Sequence, residues 1–134
     1  MTASVRRLVV SSVIVAAALT AAAFWLYPIR PDIGGAVGVF YWTGLTLVAS
    51  AMPVRLPQGT VASVSAAPIL ASVVLGGPVA AILVAGFGTT DPREVRRQVP
   101  WYGTLYNHAS IISTAAAAGI VYELALRAIP ALLE

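Results

Sequence analysis

His108 is the only histidine in the chain, and it lies inside a long apolar stretch close to Tyr106 and Asn107. If that stretch crosses a membrane, polar groups within it are costly, and each is a candidate functional group. An imidazole at this depth could ligate the metal of a chlorin or haem, or it could relay protons. It could equally be a neutral ring that is hydrogen-bonded to a neighbouring helix.

The sequence offers no second component for a catalytic site at His108. A metal centre would need further His, Asp or Glu ligands at helical spacing, and none occurs nearby. Glu123 lies about 22 Å further along a helix, so it cannot meet His108 within that helix. Cysteine is absent, and the chain contains neither a GxSxG nucleophile turn nor a GxxxxGK[ST] phosphate loop. We therefore predict no catalytic residues, no metal site and no enzymatic activity.

Two further hydroxyl groups, those of Ser63 and Ser65, lie near the start of another apolar segment. A small-molecule site needs a few polar groups in an otherwise apolar wall. The predicted lining of a ligand or cofactor pocket is therefore Ser63, Ser65, Tyr106, Asn107 and His108. The sequence requires no cofactor and identifies none, although a chlorin or haem at His108 is an option.

The elements that position these residues follow from composition. The 134 residues are 59% hydrophobic and 10% charged, whereas about a quarter of the residues in a soluble domain are charged. Eight basic and five acidic residues could not cover a water-facing surface, so we predict an all-α integral membrane protein with one domain. Its bundle of four or five short transmembrane helices is predicted at about 8–27, 33–52, 60–75, 79–90 and 100–126.

The third and fourth of these segments are short, and Gly76-Gly77-Pro78 separates them. A helix that crosses the hydrocarbon needs about 20 residues, with 17 near the lower limit. The segments could be two short tilted spans, or they could form a re-entrant hairpin whose Gly-Gly-Pro backbone is hydrated or buried in protein. We favour two spans, and charge does not distinguish the alternatives because the following loop stays on the same side in both.

The basic residues, all arginine, indicate an orientation. They lie at the ends of apolar runs, as topology signals do, and form no continuous basic helix face for nucleic acid. An N-terminus on the cytoplasmic side places six arginines inside and two outside, which agrees with the positive-inside rule. The inner six are Arg6, Arg7, Arg55, Arg93, Arg96 and Arg97, and the outer two are Arg30 and Arg127.

Small residues recur where helices could approach each other closely. Gly34 and Gly38 have GxxxG spacing, and Ala115 and Gly119 lie in an alanine-rich stretch of the last segment. Small side chains permit the close backbone contacts that hold helices together in lipid. We predict that these four residues pack helices, within the chain or against other membrane subunits or a second copy.

Several motifs fall between Pro53 and Tyr122. They are PVRLPQGTVASVS at 53–65, LGGPVAA at 75–81, WYGTLYN at 101–107 and AGIVY at 118–122. This half of the chain resembles the multi-span N-terminal membrane region of bacterial signalling proteins that carry HD-GYP or GGDEF output domains. The resemblance implies a sensing or anchoring role in a bacterial-type inner membrane. A single histidine excludes an HD-type metal site and no GGDEF motif occurs, so we expect no cyclic-di-GMP chemistry from these residues.

In its Pro-x-Gly and Leu-Gly-Gly-Pro motifs, the chain is also similar to the substrate-binding subunits of energy-coupling-factor vitamin transporters. Those subunits dock on a coupling subunit through an alanine-spaced first helix, and Ala17 and Ala21 could serve that purpose here. Our leading expectation is a non-enzymatic membrane module, either a sensory or anchoring domain or a small accessory subunit. The alternatives are a small-solute-binding transporter subunit and a pigment- or haem-bearing subunit.

Overall fold

The computed structural model describes residues 2–52, 54–55, 61–62 and 64–133, and these are predominantly helical. A 3₁₀ turn at Pro31–Ile33 separates the first two helices, and a two-residue antiparallel strand pair follows the second. The strands are β1 (Val54–Arg55) and β2 (Val61–Ala62). The α-helices are α1 (Ala3–Leu26), α2 (Gly35–Ala51), α3 (Ala66–Gly88), α4 (Pro92–Val95) and α5 (Trp101–Leu133).

Helix α1 begins earlier than the span predicted at 8–27. The Thr2 hydroxyl caps it by accepting a hydrogen bond from the backbone N–H of Val5 at 3.4 Å. The helix ends at Leu26, just before Pro28, which supplies no N–H to continue it. Its 24 residues correspond to about 36 Å, enough to cross a bilayer.

The turn between α1 and α2 depends on two glycines. Gly34 precedes α2 and has a φ of +85°, a left-handed conformation that favours glycine. Gly38 lies so close to the backbone carbonyl of Ile33 that a Cβ at this position would overlap it. The predicted GxxxG pair therefore shapes this local turn: Gly34 lies outside the helix, so the two glycines do not form one helical face.

Helix α3 is broken at Gly77, where φ is +75° and ψ is −170°. A Cβ on Gly76 would overlap the Cβ of Ala80, which shows that the chain reverses sharply. Residues at equal distances from Gly77, such as Val73 and Ala81, belong to one buried cluster. The segments 66–76 and 78–88 thus form a helical hairpin, and we call residues 76–78 its tip and residues 86–88 its exit.

Contacts with the other helices give the direction of the hairpin. At the tip, the carbonyl of Gly76 accepts a hydrogen bond from the backbone N–H of Arg30, which follows α1. At the exit, the carbonyl of Gly88 accepts one from the hydroxyl of Ser50, near the end of α2. The tip therefore lies at the end of the bundle where α1 finishes, and the exit lies where α2 finishes.

Helix α3 forms the centre of the bundle. Two thirds of its most apolar window (67%) is buried, against 17% for α1 and 28% for α5. By length and composition, three of the described helices could cross a membrane: α1, α3 and residues 101–129 of α5. Because α3 reverses at Gly77, its 23 residues do not form one straight span.

The helix bounds modify two other predictions. The segment predicted at 60–75 becomes helical only at Ala66, because Val61 and Ala62 pair with β1 instead. The segment predicted at 79–90 corresponds to the second half of the hairpin. The short helix α4 lies in the polar loop that the sequence placed between spans, and α5 extends past the predicted limit of residue 126.

Candidate functional site at the two ends of the hairpin

His108 bridges the hairpin exit to α4. Its Nδ1 lies 3.0 Å from the carbonyl oxygen of Gly86, and its Nε2 lies 3.1 Å from Oε2 of Glu94. The Glu94 side chain is 7% exposed and that of His108 is 20% exposed, so the contact is largely sheltered from solvent. Three segments, namely the second half of α3, α4 and α5, therefore meet at this one imidazole.

The partners of His108 determine where its protons lie. A carbonyl oxygen only accepts hydrogen bonds, so Nδ1 must carry a proton and donate it to Gly86. Nε2 faces Oε2 of Glu94 at 3.1 Å, so the second ring nitrogen is engaged as well. Both ring nitrogens are engaged, so this arrangement leaves no nitrogen lone pair for the metal of a haem or chlorin.

Asp91 and Arg93 fix the turn that carries Glu94. Oδ1 of Asp91 accepts the backbone N–H of Arg93 at 2.7 Å, and Oδ2 accepts Nη2 of the same residue at 2.7 Å. The side-chain hydrogen bond from Arg93, followed by the backbone one, lowers the pKa of Asp91. The backbone N–H of Asp91 also lies 3.4 Å from Oε2 of Glu94. These hydrogen bonds fix the turn that brings the Glu94 carboxylate to His108.

A second polar contact lies at the hairpin tip. Nε of Arg30 lies 2.9 Å from Oε1 of Glu123, with side-chain exposures of 25% and 11%. Nη1 of Arg30 reaches the carbonyl of Val74 at 3.4 Å. The guanidinium also lies over the ring of Tyr122, 5.6 Å from its centroid. Arg30 therefore joins the end of α1 to both the hairpin and α5.

The tip is also packed closely against α5. A Cβ on Gly77 would lie 3.2 Å from Oε1 of Glu123. A Cβ on Gly119 would lie 2.6 Å from Cα of Pro78, a distance that the backbone would have to relieve by moving. Ala115, one turn earlier on α5, is 3% exposed within the cluster formed by the two halves of the hairpin. Ala115 and Gly119 thus lie where α5 contacts α3.

The residues predicted to line a pocket do not share one site. Tyr106 and Asn107 are exposed on α5, while His108 points towards Glu94. Ser65 borders a cleft of about 440 Å³ between the first half of α3 and α5, together with Ser110 and Thr114. His108 borders a different, apolar groove of about 510 Å³ between α1 and α5. Ser63 lies outside the described residues.

Sequence reasoning missed the partners in both contacts. From the sequence, no partner was predicted for Glu94 or for Glu123, and Glu123 is only 9% exposed. A usable signal existed for the tip: the predicted topology places Arg30 and Glu123 at the same end of the bundle. No comparable signal links Glu94 to His108, because their contact depends on the turn at Asp91.

The described residues contain no group of three or more His, Cys, Asp or Glu side chains placed to hold a metal ion. The chain matches no protein-family model, and no curated protein or solved structure is significantly similar to it.

Proposed function

We propose that the chain is a non-enzymatic membrane module that acts as a sensory or anchoring part of a larger assembly. The observation that carries this proposal is the arrangement of apolar surface. The hairpin α3 is buried, whereas the helices around it present large apolar side chains outward. A water-soluble protein would expose such an extended apolar surface only at an interface, whereas lipid accepts it.

The exposed side chains support lipid as the surrounding solvent. On α2, Val37 is 79% exposed and Phe40 77%. Trp25, at the end of α1, is 89% exposed, and Trp101, at the start of α5, is 68% exposed. These tryptophans lie at opposite ends of the bundle, as expected for residues at the two interfaces of a bilayer.

The proposed orientation places the N-terminus and the 89–100 loop on the cytoplasmic side of a bacterial-type inner membrane. Arg6 and Arg7 would then share that side with the arginines of the loop, and the contact between Arg30 and Glu123 would lie at the outer side. The Glu94–His108 contact would connect the cytoplasmic loop to the exit of the hairpin. A change in a partner bound to that loop would therefore reach the centre of the bundle.

Membrane residence is tested by fractionation of cells that produce the tagged chain. We expect the chain in the membrane pellet, resistant to alkaline carbonate and released by mild detergent. Release by carbonate alone would contradict the proposal. Mass spectrometry of the detergent-purified protein then tests assembly, and stoichiometric co-purification of one other membrane protein or a defined homo-oligomer is expected. Purification as an isolated monomer would contradict the proposed assembly with other chains.

The cleft beside Ser65 favours a second candidate, a small-solute-binding subunit. Its volume of about 440 Å³ lies in the range of ligand sites, and its wall is apolar apart from Ser65, Ser110 and Thr114. Under this alternative, Ser110→Ala with Thr114→Val would abolish binding of a solute, whereas Asn107→Ala, which lies outside the cleft, would not. If the Ser110→Ala/Thr114→Val variant and Asn107→Ala reduced solute binding equally, the cleft would not be the binding site.

A further inference from the structure

The loop between α3 and α5 has an uneven distribution of charge. Asp91 is paired with Arg93, and Glu94 is turned inward to His108. Arg96 and Arg97 are exposed, and no acidic side chain in the described part of the chain forms an ion pair with either of them. The acids of this loop are therefore engaged elsewhere, and two guanidinium groups remain at the surface.

Backbone hydrogen bonds hold this part of the loop in one conformation. The N–H of Arg97 donates to the carbonyl of Glu94 at 3.0 Å, and the N–H of Gln98 donates to that of Arg93 at 2.8 Å. Arg97 has a φ of +56°, a left-handed conformation that is uncommon outside glycine. The turn thus places Arg96 and Arg97, both exposed, next to each other in sequence at the end of the bundle.

An apolar groove lies beside Arg96, the residue that precedes Arg97. It has a volume of about 370 Å³ and lies between the end of α2 and the loop. Leu47, Ala51 and Val95 form its apolar wall, and Thr90 and Arg96 supply its polar lining. Val95 is 72% exposed and Leu47 is 38% exposed, so the wall continues into the apolar outer face of α2.

An apolar wall that ends at a cationic rim is complementary to one class of molecule. We propose that this groove binds an anionic phospholipid, with an acyl chain on Leu47, Ala51 and Val95 and the phosphate at Arg96 and Arg97. A guanidinium matches phosphate geometry with paired N–H donors. A small anion would leave the apolar wall uncovered, and a zwitterionic lipid would leave two positive charges without a net counter-charge. The inference rests on the membrane residence proposed above.

The test compares lipid binding to the full chain in mild detergent by native mass spectrometry. The probes are dioleoyl phosphatidylglycerol and dioleoyl phosphatidylcholine, which differ in net charge but share acyl chains. The double variant Arg96→Gln/Arg97→Gln should bind the anionic lipid about 25-fold more weakly, or about 5-fold for each arginine near an anionic surface. Binding of phosphatidylcholine should not change.

Matched controls make the result specific. Arg127→Gln removes one arginine at the opposite end of the bundle and should leave binding of the anionic lipid unchanged. Val95→Ser keeps both charges but weakens the apolar wall, and should reduce binding of both lipids. Variants are compared only where they elute as the wild type does on size exclusion, so that misfolding is not read as lost binding.

Three outcomes would overturn the proposal. They are equal binding of the two lipids by the wild type, an equal loss in the arginine double variant and in Arg127→Gln, and displacement of the lipid by glycerol phosphate at equal concentration. The last outcome would identify a site for small anions. Release of the chain from membranes by carbonate would instead refute membrane residence, so the two failures are distinguishable.

Discussion

The tip and the exit of the α3 hairpin are both held by a pair of ionisable side chains, but in different ways. At the tip, a permanently charged guanidinium meets Glu123 at 2.9 Å, and glycine backbone packs directly against α5. At the exit, a carboxylate that is 7% exposed lies 3.1 Å from a ring nitrogen of an imidazole. The tip is stabilised mainly by close packing of the backbone, whereas the exit is stabilised by hydrogen bonds between sheltered polar side chains.

This difference shows which substitutions each end should tolerate. At the tip, adding a side chain destabilises the fold, because moving closely packed backbone apart costs free energy. At the exit, removing one partner destabilises the fold, because a sheltered carboxylate is left without its hydrogen bond. Adding atoms should therefore damage the tip, and removing them should damage the exit.

The largest effect is expected at the exit. His108→Ala removes the partner of Glu94 and should lower the free energy of unfolding by about 3 kcal/mol, the lower end of the range for breaking a sheltered pair. Denaturant titration in detergent measures this. The double variant His108→Ala/Glu94→Gln should recover part of the loss, because no charge is left unpaired. No recovery would show that the imidazole acts by packing alone.

The next effect is at the tip. Gly77→Ala places a Cβ in a backbone conformation that is essentially restricted to glycine, at a cost of about 1–3 kcal/mol. Gly44→Ala is the matched control, because a Cβ there meets no atom within 4 Å. The same titration should show a loss for Gly77→Ala and little change for Gly44→Ala. Similar values for the two would contradict the sharp reversal at Gly77.

A smaller effect is expected from the ion pair at the tip. Arg30→Gln or Glu123→Gln should each cost about 0.5–1 kcal/mol, because glutamine keeps a hydrogen-bonding side chain in place of the charged one. In a double-mutant cycle the coupling energy should be positive and should fall as salt is added. Coupling that does not change with salt would indicate that the pair is more deeply buried than its side-chain exposures show.

The smallest effect concerns Asp91, whose pKa is lowered by the hydrogen bonds from Arg93. Folding favours its carboxylate, so this stabilisation is complete above the ordinary value of 3.8 and is lost as the pH falls through the lowered value. The stability difference between wild type and Asp91→Asn should therefore shrink at pH values below 3.8. A constant difference down to low pH would contradict the assignment.

The sequence predicts much of the helical architecture. Apolar runs and their proline and arginine boundaries place α1, α2 and α5, because those signals act over neighbouring residues. Gly76-Gly77-Pro78 indicated a break, but both two short spans and a hairpin satisfied the lengths and the charges. Both alternatives reverse the chain at this break, as the structure does at Gly77. The burial of Val73 and Ala81 in one cluster depends on how the two halves pack, which no local pattern encodes.

The candidate site was less predictable. His108 stood out as a lone histidine, but its partner Glu94 lies fourteen positions earlier, beyond a turn that the sequence does not specify. Ser65 was expected to join His108 in one pocket, whereas the two residues border different clefts. Composition identifies polar residues in an apolar chain, but helix rotation decides which of them meet.

Labelling of single cysteines in membranes tests whether the chain reverses within α3. The chain has no native cysteine, so Asp32→Cys, Val64→Cys and Gln98→Cys each give one site for a membrane-impermeant maleimide. If the chain reverses there, Val64→Cys and Gln98→Cys should react from the same side and Asp32→Cys from the opposite side. Labelling of Gln98→Cys together with Asp32→Cys would mean that α3 crosses once, and would contradict the hairpin.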